Sequence, residues 1–121
     1  RQGEVRPLSG GWSIEHGCLD LRPLFAALAD EKNPRLGAAL FHATLAAALT
    51  DWLASIAPPD ATVAAGGGCL QNQVLGRGLR TGLAEAGLRL LEARRIPPND
   101  GGIALGQAWI AQHHLQGTPS R

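Results

Sequence analysis

The 121-residue chain contains no methionine, only two cysteines, and few aromatic residues, 4% in all. Its first residue is Arg1. With no methionine anywhere, a fragment of a longer protein is expected, excised or processed. Cys18 and Cys69 are far apart in sequence and no secretory layout precedes them, so free thiols in a reducing, cytoplasmic setting are expected rather than a disulfide framework. Charge is also scarce: the formal net charge is +1. That gives no broad attraction for nucleic acid or an anionic membrane. No apolar run is expected to reach bilayer-spanning length. Nucleic acid and membrane are therefore not expected partners. There is no internal repeat and no low-complexity tract.

What is present fits a folded domain. Apolar residues make up 45%, too many for a disordered chain. The length suits one ordinary domain or half of a larger one, with a single hydrophobic core.

Residues 62–72, Thr-Val-Ala-Ala-Gly-Gly-Gly-Cys-Leu-Gln-Asn, organise the rest. A short apolar run enters three glycines, and a long segment of helical period follows. The pattern predicts strand, glycine turn and helix N-terminus, the helix running from about 70 to 86. The strand, 61–66, does not alternate and is expected to be buried on both faces, as in a parallel sheet. Val74, Leu75, Leu79, Leu83 and Ala86 form the helical stripe, interrupted by Gly76, Gly78 and Gly82, each costing about 1 kcal/mol relative to alanine. Gly87 is a C-terminal signal. Residues 88–93 then read as a second parallel strand, closing a βαβ unit. A second glycine turn, Pro97-Pro98-Asn99-Asp100-Gly101-Gly102, opens a last helix from about 101 to 115.

Upstream, residues 1–11 read as a linker remnant. Residues 12–21 read as a hairpin turning at His16-Gly17. A short helix begins near Pro23. The longest helix spans 34–57, with Asn33 as N-cap and Pro34 at N1. Two apolar stripes, one through Leu36, Leu40, Ala43 and Ala47 and one through Phe41, Leu45, Ala48, Trp52 and Ile56, predict packing on more than one side. Residues 116–121 read as a disordered tail.

Two readings stand for residues 66–68: a backbone that a nucleotide phosphate approaches, or a tight turn needing positive φ. Asp100 is either the N-cap of the last helix or a metal ligand. Cys69 would be activated at a helix N-terminus, but no histidine is indicated as its base. Both cysteines are expected in the core. His113 and His114 are adjacent and face different ways, and His16 and His42 are isolated, so the histidines support no metal site. Arg94-Arg95 reads as an exposed loop, and the tryptophans as core.

The residues also carry a resemblance. Val63-Ala64-Ala65-Gly66-Gly67-Gly68-Cys69-Leu70-Gln71-Asn72 resembles the V-A-L-S-G-G-V-F-Q-N segment of the HypF-type carbamoyltransferases of nickel–iron hydrogenase maturation. The stretch 95–107 resembles that family's R-x-P-P-N-D-G-G-x-A-L-G-Q. Leu19-Asp20-Leu21-Arg22-Pro23-Leu24 and the segment opening Phe41-His42 resemble family segments further upstream. The likeness covers residues 12–115, read as the C-terminal carbamoyltransferase lobe.

The resemblance implies an α/β fold: one lobe of the actin-like ATPase/sugar kinase type, with a small parallel βαβ sheet, an N-terminal hairpin and about three long helices. It implies ATP or carbamoyl-adenylate in a cleft between two lobes, with carbamoyl phosphate entering through other domains. The carbamoyl group passes to the C-terminal cysteine of a HypE-type partner. By position, Gly67, Gly68 and Asn72 would lie at the nucleotide, Gly101 and Gly102 would face phosphate, and Asp100 would be a ligand of a divalent metal (iron, zinc or magnesium) held mostly by the other lobe. An isolated lobe is expected to be inactive and could pair as a homodimer. Cys69 replaces an apolar family residue, and the glycines at 76, 78 and 82 replace larger helix formers, predicting a softened helix. A non-catalytic interaction module and a relative of the tRNA threonylcarbamoyl transferases are the alternatives, but the order Asn99-Asp100-Gly101-Gly102 favours the hydrogenase branch.

Overall fold

A computed structural model describes residues 5–117. Two short strands, β1 (Ser13–Glu15) and β2 (Cys18–Asp20), form an antiparallel hairpin in which Glu15 pairs with Cys18. His16 and Gly17 make the turn, both with positive φ, 52° and 78°. Two successive left-handed residues match the twist of a two-residue hairpin. Helix α1 (Arg22–Asp30) follows. Its entry is held by Asp20, which accepts the Arg22 backbone N–H at 2.9 Å and forks with the guanidinium, closest at 2.6 Å. The guanidinium and that N–H hold the Asp20 carboxyl at about 2, below its usual 3.8.

Helix α2 (Pro34–Ile56) is the spine. Asn33 Oδ1 accepts from the N–H groups of Arg35 and Leu36, as the sequence predicts for an N-cap. α2 packs against α1, β2 and the later helix α3 (Gln73–Glu85). Trp52 Nε1 donates to the Gly17 carbonyl at 2.7 Å and ties the hairpin turn to it. The expectation that no segment is long and apolar enough to span a bilayer needs correction. α2 has 23 residues with mean hydropathy 1.3 over its best window, because its few charges sit near the ends and alanine fills the middle.

Residues 8–11, inside the stretch read as a linker, are fastened to α2. The Leu8 N–H donates to the hydroxyl of the fully buried Thr44 at 2.9 Å. Gly11 is pressed against the same residue, its absent Cβ falling 2.8 Å from Thr44 Cγ2. Residues 1–4 and 118–121 lie outside the described residues, as do the parts of the linker and tail expectations that fall on them.

The C-terminal half is a βαβ unit. β3 (Thr62–Ala65) and β4 (Arg89–Glu92) pair in parallel, Thr62 opposite Arg89 and Ala65 opposite Glu92. Helix α3 (Gln73–Glu85) connects them. It ends in a Schellman turn: Gly87 has φ 75°, and Leu88 N–H reaches Leu83 O at 2.8 Å. Arg80 Nη1 bridges both oxygens of Glu92 at 2.8 Å, clamping α3 to β4. β3 is not buried on both faces as expected: Val63 and Ala65 are half-buried while Thr62 and Ala64 are exposed. A sheet of two strands has α3 on one side only.

Helix α4 (Ile103–Gln116) projects from a 3-10 turn at Asp100–Gly102 and buries none of its residues. Trp109, expected in the core, is 63% exposed. The core lies instead between α2, α3 and the strands, around Ala46, Leu75, Leu79 and Leu83.

Candidate functional site

The two glycine turns meet. β3 and β4 both end at the same edge of the parallel pair, and the loops that leave them are joined by a hydrogen bond from Gly67 N–H to the Pro98 carbonyl. Two glycine loops therefore stand side by side at the carboxyl edge of the small sheet.

The glycines differ in what they need. Gly67 has φ 100°, a conformation that favours glycine. Gly68 does not, and a Cβ there would meet nothing within 4 Å. At Gly66 the nearest atom would be the Pro98 carbonyl oxygen, at 4.0 Å. The turn explains the glycine at 67 but not at 66 or 68, where the chain leaves open space. Gly102 is tight: its Cβ would sit 3.0 Å from the Pro97 carbonyl oxygen. Gly101 donates to Asn99 Oδ1 at 3.0 Å.

Two predicted helix starts shift towards the C-terminus. The helix expected from about 70 is divided: a 3-10 turn occupies Gly68–Gln71, and α3 starts only after Asn72, which caps it. At the second loop Asn99 caps the 3-10 turn, and α4 starts only after Gly102 with no side-chain cap, so Asp100 is not the N-cap of the last helix. The Asp100 carboxylate is exposed and makes no hydrogen bond or ion pair among the described residues. No group of three or more His, Cys, Asp or Glu that could hold a metal ion occurs among those residues. One carboxylate does not hold a divalent ion, so this chain's residues do not fit a resident metal without donors from elsewhere.

Asn72 is the junction. Its N–H donates to Cys69 O at 3.1 Å and closes the 3-10 turn, and its C=O accepts from Gly76 at 3.0 Å and opens α3. Its Oδ1 accepts from Val74 and Leu75, and its Nδ2 meets His42 Nε2 on α2 at 2.8 Å. Sequence reasoning set His42 aside as isolated. The partners are 30 residues apart, and no periodicity on either helix signals the pairing.

Neither cysteine is in the core. Cys18 and Cys69 are both exposed. Cys18 sits on the open face of the hairpin, and Cys69 in the turn that leaves the sheet. A broad concavity runs along α2 and α3, lined among others by Ala43, Ala46, Thr50, Arg77, Gly78 and Gly82 and by none of the glycines of the two loops.

Comparison with known proteins gives a consistent picture. Residues 3–107 match the family model described as "Carbamoyltransferase, Kae1-like Domain, second subdomain". The chain is 50% identical over 116 residues to Carbamoyltransferase HypF2 of Cupriavidus necator, covering 93% of this chain and 14% of that protein. It is 50% identical over 111 residues to Carbamoyltransferase HypF of Rhizobium leguminosarum bv. viciae, covering 88% and 15%. A Carbamoyltransferase HypF homolog of Cupriavidus necator is 47% identical over 105 residues, covering 80% and 27%. The chain thus spans about a seventh of the length of the first two relatives.

Proposed function

The chain belongs to the HypF-type carbamoyltransferase family, matching the second subdomain of its Kae1-like domain, and from that premise we propose that it forms one wall of a nucleotide cleft in a carbamoyltransferase. In this reading it is one lobe of an actin-like ATPase/sugar kinase fold, and the other wall lies outside this chain. The bond from Gly67 N–H to the Pro98 carbonyl carries the proposal, because it joins two glycine loops at the carboxyl ends of parallel strands. Ligands of open α/β sheets bind at that edge.

The space beside Gly66 and Gly68 lets phosphate approach the backbone, and the entries of α3 and α4 offer their dipoles to it. Gly67, Gly68 and Asn72 line the nucleotide, ATP or carbamoyl-adenylate, and Gly101 and Gly102 face its phosphate. Asp100 contributes one carboxylate to a divalent metal whose other ligands come from outside this chain. An adenylate-bound carbamoyl is an activated acyl centre, and oriented N–H dipoles stabilise the charge that develops as it transfers. The acceptor is the C-terminal cysteine thiolate of a HypE-type partner, on the route to a hydrogenase cyanide ligand in the cytoplasm. No nucleophile is needed in this chain, which leaves Cys69 outside the chemistry.

The test is carbamoyl transfer by a full-length HypF-type enzyme carrying Gly68→Val or Asp100→Ala in this segment. Transfer is expected to fall sharply in both while circular dichroism and soluble yield stay unchanged. Wild-type transfer in both variants would overturn the assignment.

A further inference from the structure

We propose that His42 is a positioning residue: from α2 it fixes the amide of Asn72, and through Asn72 it sets the entry of α3 and the glycine turn at 66–68. The inference rests on the nucleotide-cleft reading for its functional consequence, but the structural coupling stands on its own geometry.

The bonding order follows from donors and acceptors alone. The Val74 and Leu75 N–H groups, 2.9 and 3.2 Å away, require the carbonyl oxygen of the Asn72 amide on the helix side. The NH2 group must then face His42, whose Nε2 lies 2.8 Å from it. Nε2 is therefore the acceptor. The imidazole proton resides on Nδ1, which lies 2.7 Å from the Ala38 carbonyl and donates to it. Each bond sets the next: the helix carbonyl fixes the tautomer, the tautomer fixes the amide, and the amide caps α3. Phe41 meets the imidazole edge-on, ring centroids 5.3 Å apart.

An asparagine cap without such an anchor can turn its NH2 toward the helix, placing donor against donor. His42 removes that state. It also joins the turn to the 23-residue helix α2, which packs against α3. Because Asn72 closes the 3-10 turn with its N–H and opens α3 with its carbonyl, anchoring one side chain orients both.

The experiment has a structural and a functional arm. In long-range proton–nitrogen spectra of the full chain at neutral pH, His42 is expected with Nδ1 protonated and Nε2 bare. The reverse tautomer would overturn the proposal. His42→Leu is expected to speed amide exchange at Val74 and Leu75 by roughly 3- to 10-fold, the scale of one net hydrogen bond, leaving Leu19 in the hairpin unchanged. His42→Gln, whose carbonyl can accept from Asn72, is expected to restore most of the protection. Acceleration spread over the whole chain, or no rescue by glutamine, would reduce His42 to a packing residue.

For function, the full-length enzyme with His42→Leu should show a raised KM for ATP with kcat largely retained. Faster exchange with an unchanged KM would overturn the functional role if Gly68→Val raises KM. If Gly68→Val also leaves KM unchanged, the nucleotide-cleft reading itself fails.

Discussion

Gly78 and Gly82 occupy positions where a helix normally carries larger residues, and composition alone makes α3 look softened. The packing gives them another role. A Cβ on Gly78 would fall 2.8 Å from Ala46 Cβ, and one on Gly82 would fall 2.5 Å from Thr50 Oγ1. The two glycines form one stripe of α3 facing a stripe of small residues on α2, so the helices approach more closely than side chains would allow. Their propensity cost is offset by that contact. Gly78→Ala or Gly82→Ala is therefore expected to destabilise the chain by about 1–3 kcal/mol through overpacking, despite alanine's better helix propensity. Gly106→Ala, in α4 with nothing within 4 Å, is expected to stabilise by about 0.5–1 kcal/mol. Urea midpoints at constant m check both, and the opposite signs separate packing from propensity. Nothing in the local sequence marks residues 78 and 82 as different from 106, because the deciding atoms belong to α2.

Among the elements, the hairpin and α1 show how far local rules reach. Asp20 accepts the first N–H of α1 and forks with Arg22, which explains part of the family-like stretch Leu19-Asp20-Leu21-Arg22-Pro23-Leu24 as a device for entering a helix. The folded-state pKa is depressed to about 2 from 3.8. A depressed carboxyl contributes stability that is present above its unfolded value and lost as pH falls through the folded one. The wild-type chain is thus expected to lose this contribution between about pH 4 and pH 2, where Asp20→Asn shows a flatter dependence. Urea midpoints measured across that window test it. The pair is exposed and screened, so the difference should shrink in high salt. The hairpin turn, the Asn33 cap and Gly87 are equally legible, since each rests on residues within a few positions.

For the whole molecule, stability and surface are unevenly shared. Leu83 is 1% exposed and belongs to the α2–α3 core, whereas Ile110 in α4 is 59% exposed. Leu83→Ala is expected to cost about 2–5 kcal/mol, the range for a truncated buried leucine. Ile110→Lys should change stability by no more than about 0.5 kcal/mol. Equal losses at both positions, measured by denaturant unfolding, would show that α4 is part of the folded core. The apolar character of α4 is plain in the sequence, but its lack of cover is not. The same holds for Cys18, Cys69 and Trp109, where hydrophobic type suggested an interior that the chain does not build around them.

The sequence by itself determined which helices and strands form and in what order, that two strands run parallel around a helix, and that two glycine turns leave their carboxyl ends. Caps, turns and periodicity act through neighbours a few residues away, and those neighbours can be read in order. The tertiary structure alone decided that the turns touch through Gly67 and Pro98, that His42 meets Asn72, and that Gly78 and Gly82 admit α2. These are contacts between atoms far apart along the chain. Their partners are selected by the packing of whole helices, which no local pattern records.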